Sequence, residues 1–85
     1  AEAQLDLADC FAALGQSGQA AWVLRQLLQR YPRSAQAAQA MFRLAGIEEQ
    51  LGRRDAARRL YAQVIELYPR SREAALAAAQ VKRLR

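Results

Sequence analysis

Reactive chemistry has little to work with in this chain. Cys10 is the only thiol, and histidine is absent from all 85 residues, so no imidazole can take the proton from that thiol. Neither a Cys–His nor a Cys–Cys metal spacing can be written. In the helical surroundings its neighbours predict, Cys10 is expected to be a small packed hydrophobe. Asp6 and Asp9 fall on one helical turn, which is the spacing of solvent-facing charge rather than of an acid–base pair, and there is no glycine-rich phosphate loop. A non-catalytic protein that uses no cofactor and no metal is expected.

Residues suited to recognition are more plentiful. Residues 1–42 carry three basic and three acidic side chains and residues 43–85 carry ten and five, so the whole net charge of +5 lies in the second half. Arg53, Arg54, Arg58, Arg59, Arg70, Arg72, Lys82, Arg83 and Arg85 could in principle face nucleic acid. However, Glu49 with Arg53, Asp55 with Arg59, and Glu66 with Arg70 have the four-residue, acid-first spacing that pairs along a helix. A partly neutralised, solvated face is therefore expected, and nucleic acid is not the expected partner. Trp22 shares a helix side with Gln26 and Gln29. Such a side chain buries roughly 150–250 Å² in a contact, which makes Trp22 a candidate for self-association or for packing against a neighbouring repeat.

The elements that position these residues follow from composition and repetition. Alanine occurs 20 times, Leu and Arg 12 times each and Gln 10 times, whereas Thr and Asn are absent and only five residues are Val or Ile, a balance that favours helices and disfavours strands. No run approaches the ~18 apolar residues of a membrane span. The chain opens inside a helical pattern without Met or a basic-then-apolar leader, and it is read as a piece of a longer protein. Tyr-Pro-Arg-Ser occurs at Tyr31–Ser34 and again at Tyr68–Ser71, 37 residues later. The same shift pairs Leu7 with Leu44, Ala8 with Ala45, Leu14 with Leu51, Gly15 with Gly52, Ala20 with Ala57, Gln26 with Gln63 and Ala40 with Ala77. Helix stops are expected at Gly15, Pro32, Gly52 and Pro69, and starts at Ser17, Ser34, Asp55 and Ser71. The apolar stripes expected to face inward include Leu7, Phe11 and Leu14, then Ala20, Val23, Leu24, Leu27, Leu28 and Tyr31, then Met41, Leu44, Ile47 and Leu51, then Ala57, Leu60, Tyr61, Val64 and Tyr68.

Leu44, Ala45, Gly52, Ala57, Tyr61 and Pro69 in the second unit, and Leu7, Ala8, Phe11, Gly15, Ala20 and Pro32 in the first, give the chain a pattern that resembles the tetratricopeptide repeat family. The first unit departs at Leu24, where the second has Tyr61, and at Gln4, where an aromatic is common in the family. The resemblance implies an all-α, right-handed solenoid of five antiparallel helices. Its parts would be a helix-turn-helix unit over residues 1–33, a second over 34–70, and a C-terminal helix over 71–85. It further implies that the first helix of each unit lines a concave groove. Carried onto this sequence, that rule directs Leu5, Asp6, Asp9, Phe42, Arg43, Gly46, Glu49, Gln50, Gln80 and Arg83 toward a protein or peptide ligand. Chaperone-binding members grip a terminal carboxylate with a Lys, Arg and Asn clamp, whereas the matching first-unit positions here are Leu5 and Asp9, so that subclass is not expected. The Tyr-Pro-x-Ser endings and alanine-rich following helices are similar to a bacterial envelope subclass, the repeat domains of Tol-Pal cell division coordinators, with outer-membrane assembly lipoproteins as cousins. That likeness implies a periplasmic scaffold for envelope proteins. The other expected role is structural, with Trp22 and the N-terminal end joining copies into a homo-oligomer or continuing into further repeats, because two units fall short of the three or so that such arrays usually need.

Overall fold

The computed structural model describes residues 2–84. Its elements are α1 (Glu2–Ala13), α2 (Ser17–Arg30), α3 (Ala35–Gln50), α4 (Arg54–Leu67) and α5 (Arg72–Leu84), with no strand among the described residues. Ala1 and Arg85, the ends of the expected span, lie outside the described residues.

Each turn has a local cause. Gly15 and Gly52 have φ of +79° and +83°, a region that a Cβ penalises. Around them the backbone closes in the same two bonds: Gly15 N–H donates to Ala12 and Gln16 N–H to Phe11 at 3.1 and 2.8 Å, as Gly52 does to Glu49 and Arg53 to Glu48 at 3.0 and 2.9 Å. This is the Schellman closure, which satisfies carbonyls that the ending helix leaves free. The other turns follow Tyr31 and Tyr68, whose N–H groups still reach Leu27 and Val64, after which proline has no N–H to continue the ladder.

The serines meet expectation unequally. Ser71 Oγ accepts from Ala74 N–H at 3.1 Å and caps α5, whereas Ser34 occupies the cap position of α3 without a side-chain cap bond and donates to the Tyr31 carbonyl at 2.9 Å. Ser17 does not cap α2. It is the first helical residue, and Gln16 holds the cap position without a side-chain bond.

Two apolar clusters fill the boundaries between helices. Leu5, Ala8, Ala20, Leu24, Leu27, Leu44 and Ile47 lie in the first, and Met41, Ala45, Ala57, Tyr61, Val64, Ala77 and Leu84 in the second, with Leu28 and Leu60 packed against both. Ala20 and Ala57, one repeat apart, are fully buried, as close helix crossings require. Four expected core residues, Leu7, Leu14, Tyr31 and Leu51, are exposed instead, and so is Cys10. Leu14 and Leu51 sit at helix ends just before the glycine turns, and Leu7 lies on a side of α1 that no described helix covers.

The backbones of α1 and α3, and of α3 and α5, come close, whereas those of α2 and α4 stay farther apart. The stack is thus closer-set along its first helices than along its second ones, which makes the α1–α3–α5 side concave. Extents of 28 × 28 × 17 Å fit two layers of helices.

Candidate ligand groove

Nine of the ten expected groove residues are accessible. Asp6, Asp9, Gln50 and Arg83 are exposed, and Phe42, Arg43, Gly46, Glu49 and Gln80 are half-buried. Leu5 is the correction. It is 3% exposed within the first cluster and cannot meet a ligand. Its repeat equivalent is Phe42, and the difference is one of size. Phe42 packs edge-on against Tyr61, with ring centroids 5.3 Å apart and planes at 65°, so its ring extends outward over the second cluster. In the first unit the same two positions are Leu5 and Leu24, both small enough to be enclosed.

Charge on the concave side is joined across helices. Asp9 on α1 pairs with Arg43 on α3 at 3.5 Å. Glu49 on α3 accepts from Arg83 on α5 at 2.7 Å, and Arg83 Nε also donates to Gln80 Oε1 at 2.8 Å. The Nη1 of Arg43 is enclosed and meets no acceptor among the described residues. Beside it a depression of about 180 Å³ is lined by Ala8, Asp9, Arg43, Gly46 and Gln50, among others. The Tyr61 hydroxyl lies near Glu49 and Arg83. Burial, reinforced by the Glu49 carboxylate and opposed by Arg83, raises the Tyr61 pKa above the ordinary phenol value. Its hydroxyl therefore stays protonated, and able to donate, through the neutral range.

Helical spacing places Leu76 on the stripe of Gln80 and Arg83, and it is exposed, so α5 adds an apolar residue to this side that was not foreseen. Glu48 was also missed. It is buried on the far side of α3, with Arg25 Nη2 of α2 and Arg53 Nη1 each 3.3 Å from one of its oxygens. The signal for it lay in the repeat itself, since the position equivalent to Glu48 is Phe11, an acid matched to an aromatic. The expected Glu49–Arg53, Asp55–Arg59 and Glu66–Arg70 pairs are not among the ion pairs of the described residues; Arg53 turns to Glu48, Arg83 takes Glu49, and Asp55 meets Arg58 at 3.4 Å. Trp22 is 62% exposed and lies outside the groove, near Leu7 and Phe11.

Comparison with known families agrees with this architecture. A family model described as tetratricopeptide repeat matches residues 1–44, and another with the same description matches residues 39–71. The chain belongs to the tetratricopeptide repeat family. Repeats of this family generally mediate protein–protein interactions and are typically non-catalytic. No protein with a curated description matches the chain.

One groove position of this tetratricopeptide pair invites a simple stability test. Gly46 lies inside α3, where glycine is less favourable than alanine by about 0.5–1 kcal/mol. A Cβ there would meet only the Tyr61 hydroxyl at 3.8 Å, an ordinary contact. Gly46→Ala is expected to raise the urea midpoint by an amount equivalent to about 0.5–1 kcal/mol. A lowered midpoint would show that the groove floor is tighter than this geometry.

Proposed function

We propose that the chain is an adaptor that holds a segment of another protein, extended or helical, along the concave side of α1, α3 and α5. The observation that supports this reading most directly is the cross-helix pairing of Asp9 with Arg43 and of Glu49 with Arg83, together with the Phe42–Tyr61 edge contact. Three of these four charged side chains are more than a third exposed, and pairs of this kind contribute only about 0–1 kcal/mol. A ligand that brings its own carboxylates and cations can exchange for them at little loss, while an apolar side chain settles against Phe42 and Leu76. Arg43, whose Nη1 meets no acceptor among the described residues, favours a ligand carbonyl or carboxylate near Asp9.

The similarity of the two Tyr-Pro-Arg-Ser turns to the Tol-Pal coordinator subclass supports placing this adaptor in the periplasm, with envelope proteins as its ligands. Epitope-tagged protein released with the periplasmic fraction is the expected result; retention in the cytoplasm would remove the envelope assignment and leave the groove reading in place.

The groove itself is tested by selecting a displayed library of random peptides on the protein. The enriched peptides are expected to lose about tenfold in affinity on Arg43→Glu and on Glu49→Lys, and to ignore Glu66→Lys on exposed α4. Peptides that bind all three variants alike would place the ligand elsewhere.

A further inference from the structure

The Tyr31–Ser34 and Tyr68–Ser71 turns, which follow the helix hairpins α1–α2 and α3–α4, share one edge of the molecule, and a recess opens there. A depression of about 470 Å³ is lined by Pro32, Arg33, Leu67 and Tyr68. An adjoining one of about 350 Å³ shares Leu67 and Tyr68 and adds Pro69 and Arg70, among others. The walls thus come from both hairpins. Further units of such an array stack on its end faces, so continuing the array in either direction leaves this edge uncovered. The recess is also separate from the concave side, none of whose groove residues lines it.

Its polar groups fall into two sets. Tyr68 Oη donates to the Pro32 carbonyl, Ser34 Oγ to the Tyr31 carbonyl and Ser71 Oγ to the Tyr68 carbonyl, at 2.7, 2.9 and 2.7 Å, so the hydroxyl protons are spent inside the protein. The guanidiniums are not. Arg25, Arg43, Arg53, Arg54, Arg58 and Arg83 each meet an acceptor. Among the described residues Arg30, Arg33, Arg59, Arg70 and Arg72 meet none, and all of these but Arg59 stand in or directly beside the two Tyr-Pro-Arg-Ser runs. No carboxylate among the described residues lines the recess. Its remaining surface is apolar: Leu67 is 57% exposed, and Pro32 and Pro69 are exposed as well. Leu67 and Tyr68 line both halves, Arg33 only the first and Arg70 only the second, so each half joins the same apolar pair to its own guanidinium.

We propose that this recess binds a short acidic segment of another protein, with one apolar side chain resting on Leu67 and the Tyr68 ring and carboxylates flanking it that meet Arg33 and Arg70. Charge complementarity selects this occupant. The recess offers donors in want of acceptors and has no acid to hold a cation, so the ligand must bring the negative charge. A phosphodiester backbone would meet the arginines but leave the exposed leucine and prolines without a partner, whereas an apolar residue set among acids uses both. The site is independent of the concave groove, and either can fail without the other.

The probe is a fluorescently labelled nine-residue peptide with a central leucine and two glutamates on each side of it, added to the full chain and followed by anisotropy. Saturable binding below about 1 mM is expected. Arg33→Glu and Arg70→Glu should each weaken it at least about fivefold, and Leu67→Ala, or serine in place of the peptide's leucine, about threefold. Lysines in place of the glutamates should abolish binding, and Arg43→Glu in the groove should change nothing. Arg33, Leu67 and Arg70 are exposed, so these variants should keep full helicity by circular dichroism. Absence of saturable binding, or binding indifferent to both Arg33→Glu and Arg70→Glu, overturns the proposal. So does tighter binding to phosphatidylglycerol vesicles through the same two arginines, which would assign the edge to an anionic membrane surface. Sedimentation showing a dimer that Arg70→Glu dissociates would overturn it too, because the recess would then belong to a second copy.

Discussion

Replacing both Arg25 and Arg53 with alanine is expected to lower stability by about 3–5 kcal/mol, the loss that follows when a buried ion is left without its partners. Glu48 is 3% exposed and each of its oxygens has one guanidinium, so either arginine alone leaves the carboxylate half-compensated and each single variant should lose less than the pair. Net stability of a small domain is only about 5–15 kcal/mol, so the double variant should lose a large share of it and melt at a clearly lower temperature. Glu48→Leu is the informative counterpart. It removes the buried charge itself, and replacing a buried ionic cluster with an apolar side chain is commonly neutral or stabilising. The first hairpin already carries Phe11 at the equivalent place. In a Glu48→Leu background the two arginine substitutions should therefore become nearly silent in urea titrations. An equal loss with and without Glu48 would mean that the arginines act through packing of their stems rather than through the carboxylate.

The second large effect is expected from Leu24→Ala or Leu27→Ala. Both side chains are fully enclosed in the first cluster, and deletions of this kind remove about 2–5 kcal/mol through lost transfer energy and residual cavity. For a domain of this length each kcal/mol moves the melting temperature by about 4–8 °C. Because Leu28 and Leu60 pack against both clusters, the damage should not stay in the first hairpin. A single cooperative transition, displaced to lower temperature as a whole, is the expected melt followed by circular dichroism. Two separated steps would show that the hairpins unfold independently. Leu67→Ala provides the contrast, since that side chain is 57% exposed and its loss should change stability by no more than about 0.5 kcal/mol.

The parts of the fold legible in the residues are those with local causes. Gly15 and Gly52 announce left-handed turns, Pro32 and Pro69 end helices by lacking a donor, and the 37-residue repetition makes the two hairpins congruent. Contacts made across a boundary were not legible in the same way. Leu7 and Tyr31 have the character of buried residues, and only what stacks on them decides their exposure. The charge pairs follow the same logic. Glu49 and Arg53 have ideal spacing along one helix, yet Arg53 finds Glu48 in its own turn, and the partners of Glu48 and Glu49 arrive from Arg25 and Arg83, 23 and 34 residues distant. Nine of the ten positions named for the groove are accessible, and Leu5 is enclosed because a leucine at that repeat position reaches less far than a phenylalanine.

The unequal spacing of the two helical layers has a mechanical consequence. Prising α1 away from α3, or α3 away from α5, breaks the charge pairs of the concave side and the apolar contacts beneath them, whereas sliding one hairpin over the next also breaks the Glu48 and Tyr68 clasps. Opening the concave side therefore leaves those two clasps in place, and sliding does not. For the adaptor proposed above, ligands of different girth would open that side by different amounts.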